Sequence, residues 1–301
     1  MSRYKSFPPG WDNIKVPMSS RAAMLAGMGT YAPCLPKGIW GQRAMWALVS
    51  VAGPRALPGR AVAWEPPLAA EPWEELEASL RRAVGPYDAH TVYERRRGRE
   101  GLLMLLLRSG EPVGFLKARH ESPDEIDRER RALEALETTP PTSFHAPRVV
   151  GEGEVAGWQY VVTSAMPAGI HRMIKGAPSA AIHAEISAAL EALRKPDGTP
   201  DHWVPFHGDF TPWNLRRFRT GKPWLIDWEE SGWAPPGADA VFYRASAYAI
   251  GRAIDDAPFE HDEAGAFWFE RMQRRTADNV AAGLELRPLD NGLLEAFAPP
   301  P

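Results

Sequence analysis

The chain has 301 residues, 44% of them apolar and 24% charged, an ordinary globular balance that excludes wholesale disorder. A formal net charge of -3 gives no reason to expect nucleic acid or an anionic membrane as the main partner, and one cysteine, Cys34, excludes an internal disulfide and any cysteine-built metal site. No run reaches the ~18 apolar residues of a membrane span and the N-terminus has no apolar core of signal-peptide length, so a cytoplasmic protein is expected, with one two-lobed domain or two small ones.

Residues 1–70 carry two helix signals, over 19–28 and 39–52, the second closed by Gly53-Pro54. Apolar positions such as Trp40, Met45, Trp46 and Val49 cover much of the second helix. Its polar face lacks the Lys/Arg cluster of a membrane-surface helix, so it is read as packed on the protein. Pro54, Pro58, Pro66, Pro67 and Pro72 mark a linker-like passage before a helix over 73–84.

From Tyr87 the pattern changes to strands, at 90–95, 102–108 and 113–119. The run 102–107, Leu-Leu-Met-Leu-Leu-Leu, fits a buried helix by periodicity, but its short length and flanking glycines favour a strand. Gly114-Phe115-Leu116-Lys117-Ala118 sets a lysine in an apolar strand, where burial demands a partner. The helix that starts near Ser122-Pro123-Asp124 offers Glu125, Glu129 and Glu134. Between the first two of these strands, Arg95 to Gly101 is compatible with a phosphate-covering loop or with a solvated hairpin tip. Strands at 149–152 and 158–163 complete an expected five-stranded antiparallel sheet. Beyond residue 167 helices are expected over 179–193, 238–249, 262–282 and 284–297, with Phe267, Trp268, Phe269 and Met272 read as core.

The most informative stretch is 204–232, VPFHGDFTPWNLRRFRTGKPWLIDWEESG. It holds His207-Gly208-Asp209, then Asn214 five residues after the Asp, then Asp227 after the apolar Trp224-Leu225-Ile226. Phosphoryl transfer wants this set, because its catalysis is mostly positioning of a nucleophile and neutralisation of phosphate oxygens by Mg²⁺. A loop carboxylate, Asp209, can orient and deprotonate a hydroxyl, while Asn214 and Asp227 offer oxygen ligands to a hard cation. A hairpin over 215–225, turning at 220–223, would fold the two ends together.

These residues resemble the HGDxxxxN and following IDxx signatures of the aminoglycoside phosphotransferase and choline kinase group, within the wider protein-kinase-like fold. The spacing from base Asp to Asn is also that of the protein-kinase catalytic loop, where His-Arg-Asp replaces His-Gly-Asp. Gly208, and Asp-Trp-Glu where a protein kinase has DFG, favour a small-molecule kinase. The resemblance implies an α+β, two-lobed fold with a nucleotide-binding N-lobe over 87–166, a catalytic C-lobe over 167–301 and an unmatched, helical N-terminal extension over 1–86. It implies that Lys117 reaches the nucleotide phosphates and pairs with a helix glutamate, chosen as Glu129 because Arg128-Glu129-Arg130-Arg131-Ala132-Leu133 resembles the family's helix. The backbone of Ser164, Ala165 and Met166 would hold the adenine edge, and His207 would hold the catalytic loop. Asp239 is read either as an anchor of that loop or as an ordinary helix-start residue.

The implied reaction is Mg²⁺-dependent transfer from ATP or GTP to a hydroxyl of a sugar, amino sugar, choline-like alcohol or natural product. A kinase-like binding module without turnover and a protein kinase are the alternatives. Glu229, Glu230, Asp255, Asp256, Glu260, Asp262 and Glu263 are candidates to line a site for a cationic or polyhydroxyl acceptor, with solvated helix faces as the plain alternative. Trp203, Trp213, Trp228 and Trp233 are stacking or core candidates.

Overall fold

The structure is a computed structural model that describes residues 3–11, 13–94, 101–120, 122–219, 221–252, 254, 262–284 and 288–298. The chain divides into two compact units, residues 1–130 with 147–172, and residues 131–146 with 173–301.

The first unit is built on β1 (Arg3–Ser6), β2 (Ile14–Pro17), α1 (Arg21–Thr30), α2 (Pro36–Ala52), β3 (Val62–Ala63), α3 (Ala70–Val84), β4 (Ala89–Tyr93), β5 (Leu102–Arg108) and β6 (Glu111–Arg119). Helix α4 (Pro123–Thr138) then begins, and β7 (Val149–Val155) and β8 (Trp158–Thr163) return to the sheet before the short β9 (His171–Met173). Eight strands pair in the order β3-β1-β2-β4-β5-β6-β8-β7, antiparallel throughout. The expected five-stranded sheet is therefore its central and distal part. Residues 1–86 supply the expected helices, but also β1, β2 and β3, which extend the sheet.

The same segment explains the uninterrupted apolar run of β5. Met104 and Leu106 join Leu76 and Leu80 of α3 in one buried cluster, while Leu105 and Leu107 join Ala23 and Ala26 of α1 in another. A strand covered on both faces has no reason to alternate, and each leucine so buried contributes about 1.5–3 kcal/mol. Helix α1 approaches closely because its inner face is small. A Cβ on Gly27 would stand 2.2 Å from Thr91 Oγ1. Its start is fixed by Ser20, whose hydroxyl accepts the N–H of Ala23 at 3.0 Å.

Helix α2 is packed on the protein as expected, but over only part of its circumference. Val49 is buried among Phe7, Val16, Met24 and Met28, but Trp40, Leu48 and Val51 face outward. The basic stretch from Arg95 to Arg99 lies outside the described residues.

The second unit contains α5 (Ala180–Leu190), β10 (Val204–Phe206), β11 (Leu215–Phe218), β12 (Trp224–Leu225), β13 (Gly232–Ala234), α6 (Ala238–Ala249), α7 (Glu263–Ala281) and α8 (Pro288–Phe297). Helix α8 starts later than its sequence signal, and residues 285–287 lie outside the described ones. Phe242 stacks on Trp268 at 3.9 Å between ring centroids. Both rings join Phe206, Met272, Leu293 and Phe297 in the core of α6, α7 and α8, so the aromatic run on α7 is packing. Phe206 brings the same core to the edge of the next loop.

Candidate active site

The loop of 207–231 is closed at its base by β10 and β13, which pair Val204 with Ala234 and Phe206 with Gly232. Inside it, β11 and β12 form the expected hairpin, with Leu215 opposite Leu225 and Arg216 opposite Trp224. Thr220, in its turn, lies outside the described residues. The segment before the second unit's helices braces this hairpin. His145 donates its N–H to the Pro223 carbonyl at 2.7 Å and accepts from Leu225 N at 2.9 Å.

Hydrogen bonds then fix each candidate side chain. Asn214 donates through Nδ2 to Asp209 Oδ2 at 2.8 Å and to the Asp209 carbonyl at 3.0 Å, so its amide oxygen is not used in these two bonds. Ile226 N donates to the Asn214 carbonyl at 3.2 Å. Ile226 O accepts from His207 Nε2 at 3.1 Å, while His207 Nδ1 accepts the Asp209 N–H at 3.1 Å. His207 is fully buried, and both ring nitrogens are spent on backbone in a way that needs the neutral Nε2–H tautomer. It therefore ties the loop of Asp209 to the strand that delivers Asp227.

Asp227 adopts φ +74°, the left-handed region that asparagine and aspartate enter more readily than other side-chain-bearing residues. Gly208 has φ +84°, and a Cβ there would lie 1.9 Å from the Glu230 carbonyl oxygen. Sequence reasoning used this glycine only to separate kinase classes. Its physical cause is a backbone crossing that admits no side chain.

The floor of the loop is Asp239, in the first turn of α6. Its Oδ2 accepts the N–H of His207 at 2.7 Å and its Oδ1 that of Gly208 at 3.2 Å. Of the two readings open for Asp239, anchoring is the one its side chain makes. Burial pushes its carboxyl up to about 6, against the opposing effect of those two N–H groups.

Loss of hydration in the crowded loop, and then the negative charge of Asp227, raise the Asp209 carboxyl well above the usual carboxylate range. The positive charge of Arg275 and the Asn214 hydrogen bond oppose this. Asp209 is nonetheless only partly covered, which is compatible with the expected role of a base that meets a hydroxyl.

Among the described residues, no group of three His, Cys, Asp or Glu side chains is placed to hold a metal by itself. One carboxylate, Asp227, and one amide oxygen, Asn214, are however the sparse kind of set that Mg²⁺ uses when substrate phosphates and waters complete its octahedron. The mutual repulsion of Asp209 and Asp227 is the imbalance a divalent cation relieves. The residues fit the ion.

In the first unit, β6 places Lys117 between Leu103 of β5 and Val161 of β8. Leu116 and Ala118 belong to the cluster under α3, so Lys117 points to the opposite face. Its Nζ lies 2.7 Å from Glu129 Oε2, with both side chains buried. Glu125 pairs with Arg119 at 3.1 Å. Register sets Thr163 opposite Phe115, so the 164–166 segment leaves the sheet two residues along from Lys117. Ser164 exchanges backbone with Arg148, donating N–H to its carbonyl at 2.7 Å, and its Oγ accepts from Arg148 N at 2.9 Å. Ala165 and Met166 follow as half-buried, irregular backbone.

Several expected acceptor-lining residues have other work. Asp262 caps α7 by accepting Gly265 N at 2.8 Å. Glu263 accepts from Trp203 Nε1 at 2.9 Å and bonds His202 at 2.8 Å. Glu230 pairs with Arg271 at 2.5 Å. Asp255, Asp256 and Glu260 lie outside the described residues. Trp228 is fully buried against His207, with centroids 4.4 Å apart. Trp233 lies under Lys195, 4.9 Å from the ring centroid. Sequence reasoning missed Arg271 and Arg275; their i, i+4 spacing on α7 was the available signal.

Residues 171–277 match the family model described as the phosphotransferase enzyme family. A variant of aminoglycoside 2'-phosphotransferase-IIIa in complex with GDP is 13% identical at a TM-score of 0.50, covering 74% of this chain and 96% of its own. The GDP and kanamycin complex of a related aminoglycoside phosphotransferase gives 12% identity, a TM-score of 0.48 and coverage of 74% and 98%. Spectinomycin phosphotransferase with ADP and spectinomycin gives 12%, 0.47, and 77% and 93%. No curated protein matches the sequence. The chain resembles the aminoglycoside phosphotransferase group, and its fold is the α+β, protein-kinase-like one.

Proposed function

We propose that the protein is a Mg²⁺-dependent small-molecule phosphotransferase that moves the γ-phosphoryl group of ATP or GTP to an alcohol hydroxyl. The observation that carries this reading is the joined loop and hairpin. One hydrogen bond, Asn214 Nδ2 to Asp209 Oδ2 at 2.8 Å, couples the base to a metal ligand, and the charge of Asp227 reaches the same carboxylate. The match of residues 171–277 to the phosphotransferase family supports it.

In this reading Asp209 accepts the proton of the acceptor hydroxyl. The hydroxyl oxygen forms a bond to the γ-phosphorus, and the bond from phosphorus to the β–γ bridging oxygen breaks, its electron pair staying on the nucleoside diphosphate. Asn214 and Asp227 would hold Mg²⁺, which supplies neutralisation of the phosphate oxygens. His207 and Asp239 position the loop. Lys117, oriented by Glu129, is assigned to the nucleotide phosphates, and the backbone of Ala165 and Met166 to the base edge. Ser164 serves that segment through its pairing with Arg148. Both donors are kept, since the fold-matched structure holds a guanine nucleotide.

The test is thermal stabilisation by ATP and GTP with and without Mg²⁺, followed by phosphate-transfer assays on pooled small hydroxyl compounds. Mg²⁺-dependent stabilisation with transfer to an alcohol is expected. Nucleotide binding with no dependence on Mg²⁺ would remove the assignment of Asn214 and Asp227.

A further inference from the structure

Residues 1–64 hold eight lysines and arginines against a single acidic residue, Asp12, in a chain whose formal net charge is -3. The cations are gathered in the segment that carries β1, β2, α1 and α2. Lys5 and Lys15 are buried and occupied, the first by the Arg55 and Leu57 carbonyls and the second by Ser6 and Glu94. Arg3, Arg21, Lys37, Arg55 and Arg60 are exposed, and among the described residues none of the five has a carboxylate within ion-pair distance.

These cations are placed around α2. Arg21 Nη1 donates to the Ser50 carbonyl in the last turn of that helix at 3.0 Å. At the same end, a cavity of about 590 Å³ is lined by Arg3, Arg21 and Arg55 together with Ala52. The carboxylate on its wall, Asp88, is taken by the Ser109 N–H at 3.0 Å. Lys37 lies in the first turn of α2, on a second cavity of about 440 Å³ that Trp11 and Tyr31 also line.

Helix α2 itself turns apolar residues outward. Gln42 and Val49 face the protein and are buried, whereas Trp40, Ala44, Ala47, Leu48 and Val51 lie on the opposite arc and are exposed, Trp40 to 69% and Val51 to 84%. Lys37 and Arg43 are the only charges on the helix, and Arg43 holds its guanidinium over the Trp40 ring, 5.4 Å from the centroid. A surface helix that meets only water keeps charged and polar residues on this arc. An aliphatic and indole stripe ringed by cations matches instead a bilayer interface, where hydrocarbon takes the apolar face and anionic headgroups take the charge. The sequence of α2 lacks the cation cluster of such a helix; the fold supplies it from β1, the start of α1 and the segment after Gly53.

We propose that the outward face of α2 and the cations around it form a docking surface for an anionic phospholipid bilayer, which the helix enters at the interface without spanning. A second copy of the chain fits the face less well. One face of a 17-residue helix, ~26 Å long, offers roughly a few hundred Å², short of the ~800 Å² per partner of a stable dimer, and the contact would bring like charges together. Nucleic acid would use the cations and leave Leu48 and Val51 in water.

The test is co-sedimentation of the full chain with vesicles of phosphatidylcholine alone and of phosphatidylcholine with phosphatidylglycerol in a three-to-one ratio. Binding to the anionic vesicles is expected to be tighter by tenfold or more and to weaken as salt is added. Lys37→Gln and Arg55→Gln should each weaken it about fivefold. Trp40→Ser combined with Val51→Ser should weaken it tenfold or more at an unchanged melting temperature, since both side chains are exposed. Equal binding to the two vesicle types, or no binding to either, overturns the proposal. So does a serine variant that binds as wild type does, because charge alone would then account for the contact. A solution dimer dissolved by the two serines would give the face to a second copy, and capture of a single-stranded oligonucleotide without vesicle binding would give the cations to nucleic acid; either result overturns the lipid assignment.

Discussion

Asp239 holds His207 by its backbone, accepting that N–H at 2.7 Å while its second oxygen takes the N–H of Gly208 at 3.2 Å. Replacing it with Ala leaves two buried donors unpaired, at a cost of about 1–3 kcal/mol for each. Asp239→Ala should therefore unfold at clearly lower denaturant and lose turnover, while Asp239→Asn, which keeps one acceptor, should fall between. Equal midpoints for Ala and wild type would show that the loop stands without its anchor.

Asp209→Asn keeps shape and an acceptor for Asn214 Nδ2 but removes the group that takes the hydroxyl proton. General-base assistance is typically worth about 10² to 10⁴ in rate, so turnover should fall by that order, with nucleotide affinity much less affected. Measuring both on one preparation separates the two effects. Turnover within a fewfold of wild type would falsify the catalytic role and revive a binding module without turnover.

Asp227 calls for Asn rather than Ala as its test, because at φ +74° asparagine tolerates the backbone and alanine adds strain. Asp227→Asn should keep the wild-type melting temperature in the absence of nucleotide and lose most of the Mg²⁺-dependent stabilisation by nucleotide. Retention of the full Mg²⁺ response would move the ligand role elsewhere.

Lys117 and Glu129 form a buried pair at 2.7 Å. Removing one partner of such a pair costs about 3–5 kcal/mol through the charge left behind. Lys117→Met should thus lose both stability and nucleotide affinity, whereas Lys117→Met with Glu129→Gln should recover stability without recovering affinity. Recovery of both in the double variant would reduce the lysine to a structural role.

His90 on β4 bonds the Tyr4 hydroxyl of β1 at 2.7 Å, and burial lowers its pKa to about 4 from an ordinary 6.5. The folded state disfavours the imidazolium, so the unfolded chain binds the extra proton between these two values. Stability is then complete above pH 6.5 and declines as pH falls toward 4, by roughly 3 kcal/mol at 1.36 kcal/mol per unit. Urea midpoints from pH 7 to 4 should show this decline in wild type and a shallower one in His90→Gln. Parallel curves would assign the acid sensitivity to other groups.

The sequence by itself marked the candidate site of the second unit, because its groups are close in the chain. His207, Asp209, Asn214 and Asp227 sit on one loop and hairpin whose turn residues and apolar strands are local signals. The strand assignment of 102–108 was legible for the same reason, although why it lacks alternation was not. Only the tertiary structure put α1 on one face of that strand and α3 on the other, since packing between elements far apart in the chain leaves no periodic mark. Glu129 was chosen from its place in the sequence, and the structure pairs it with Lys117 while giving Glu125 to Arg119; only the tertiary structure decided between the two readings of Asp239. It also explained Gly208, whose need for a bare Cα comes from a carbonyl 22 residues away.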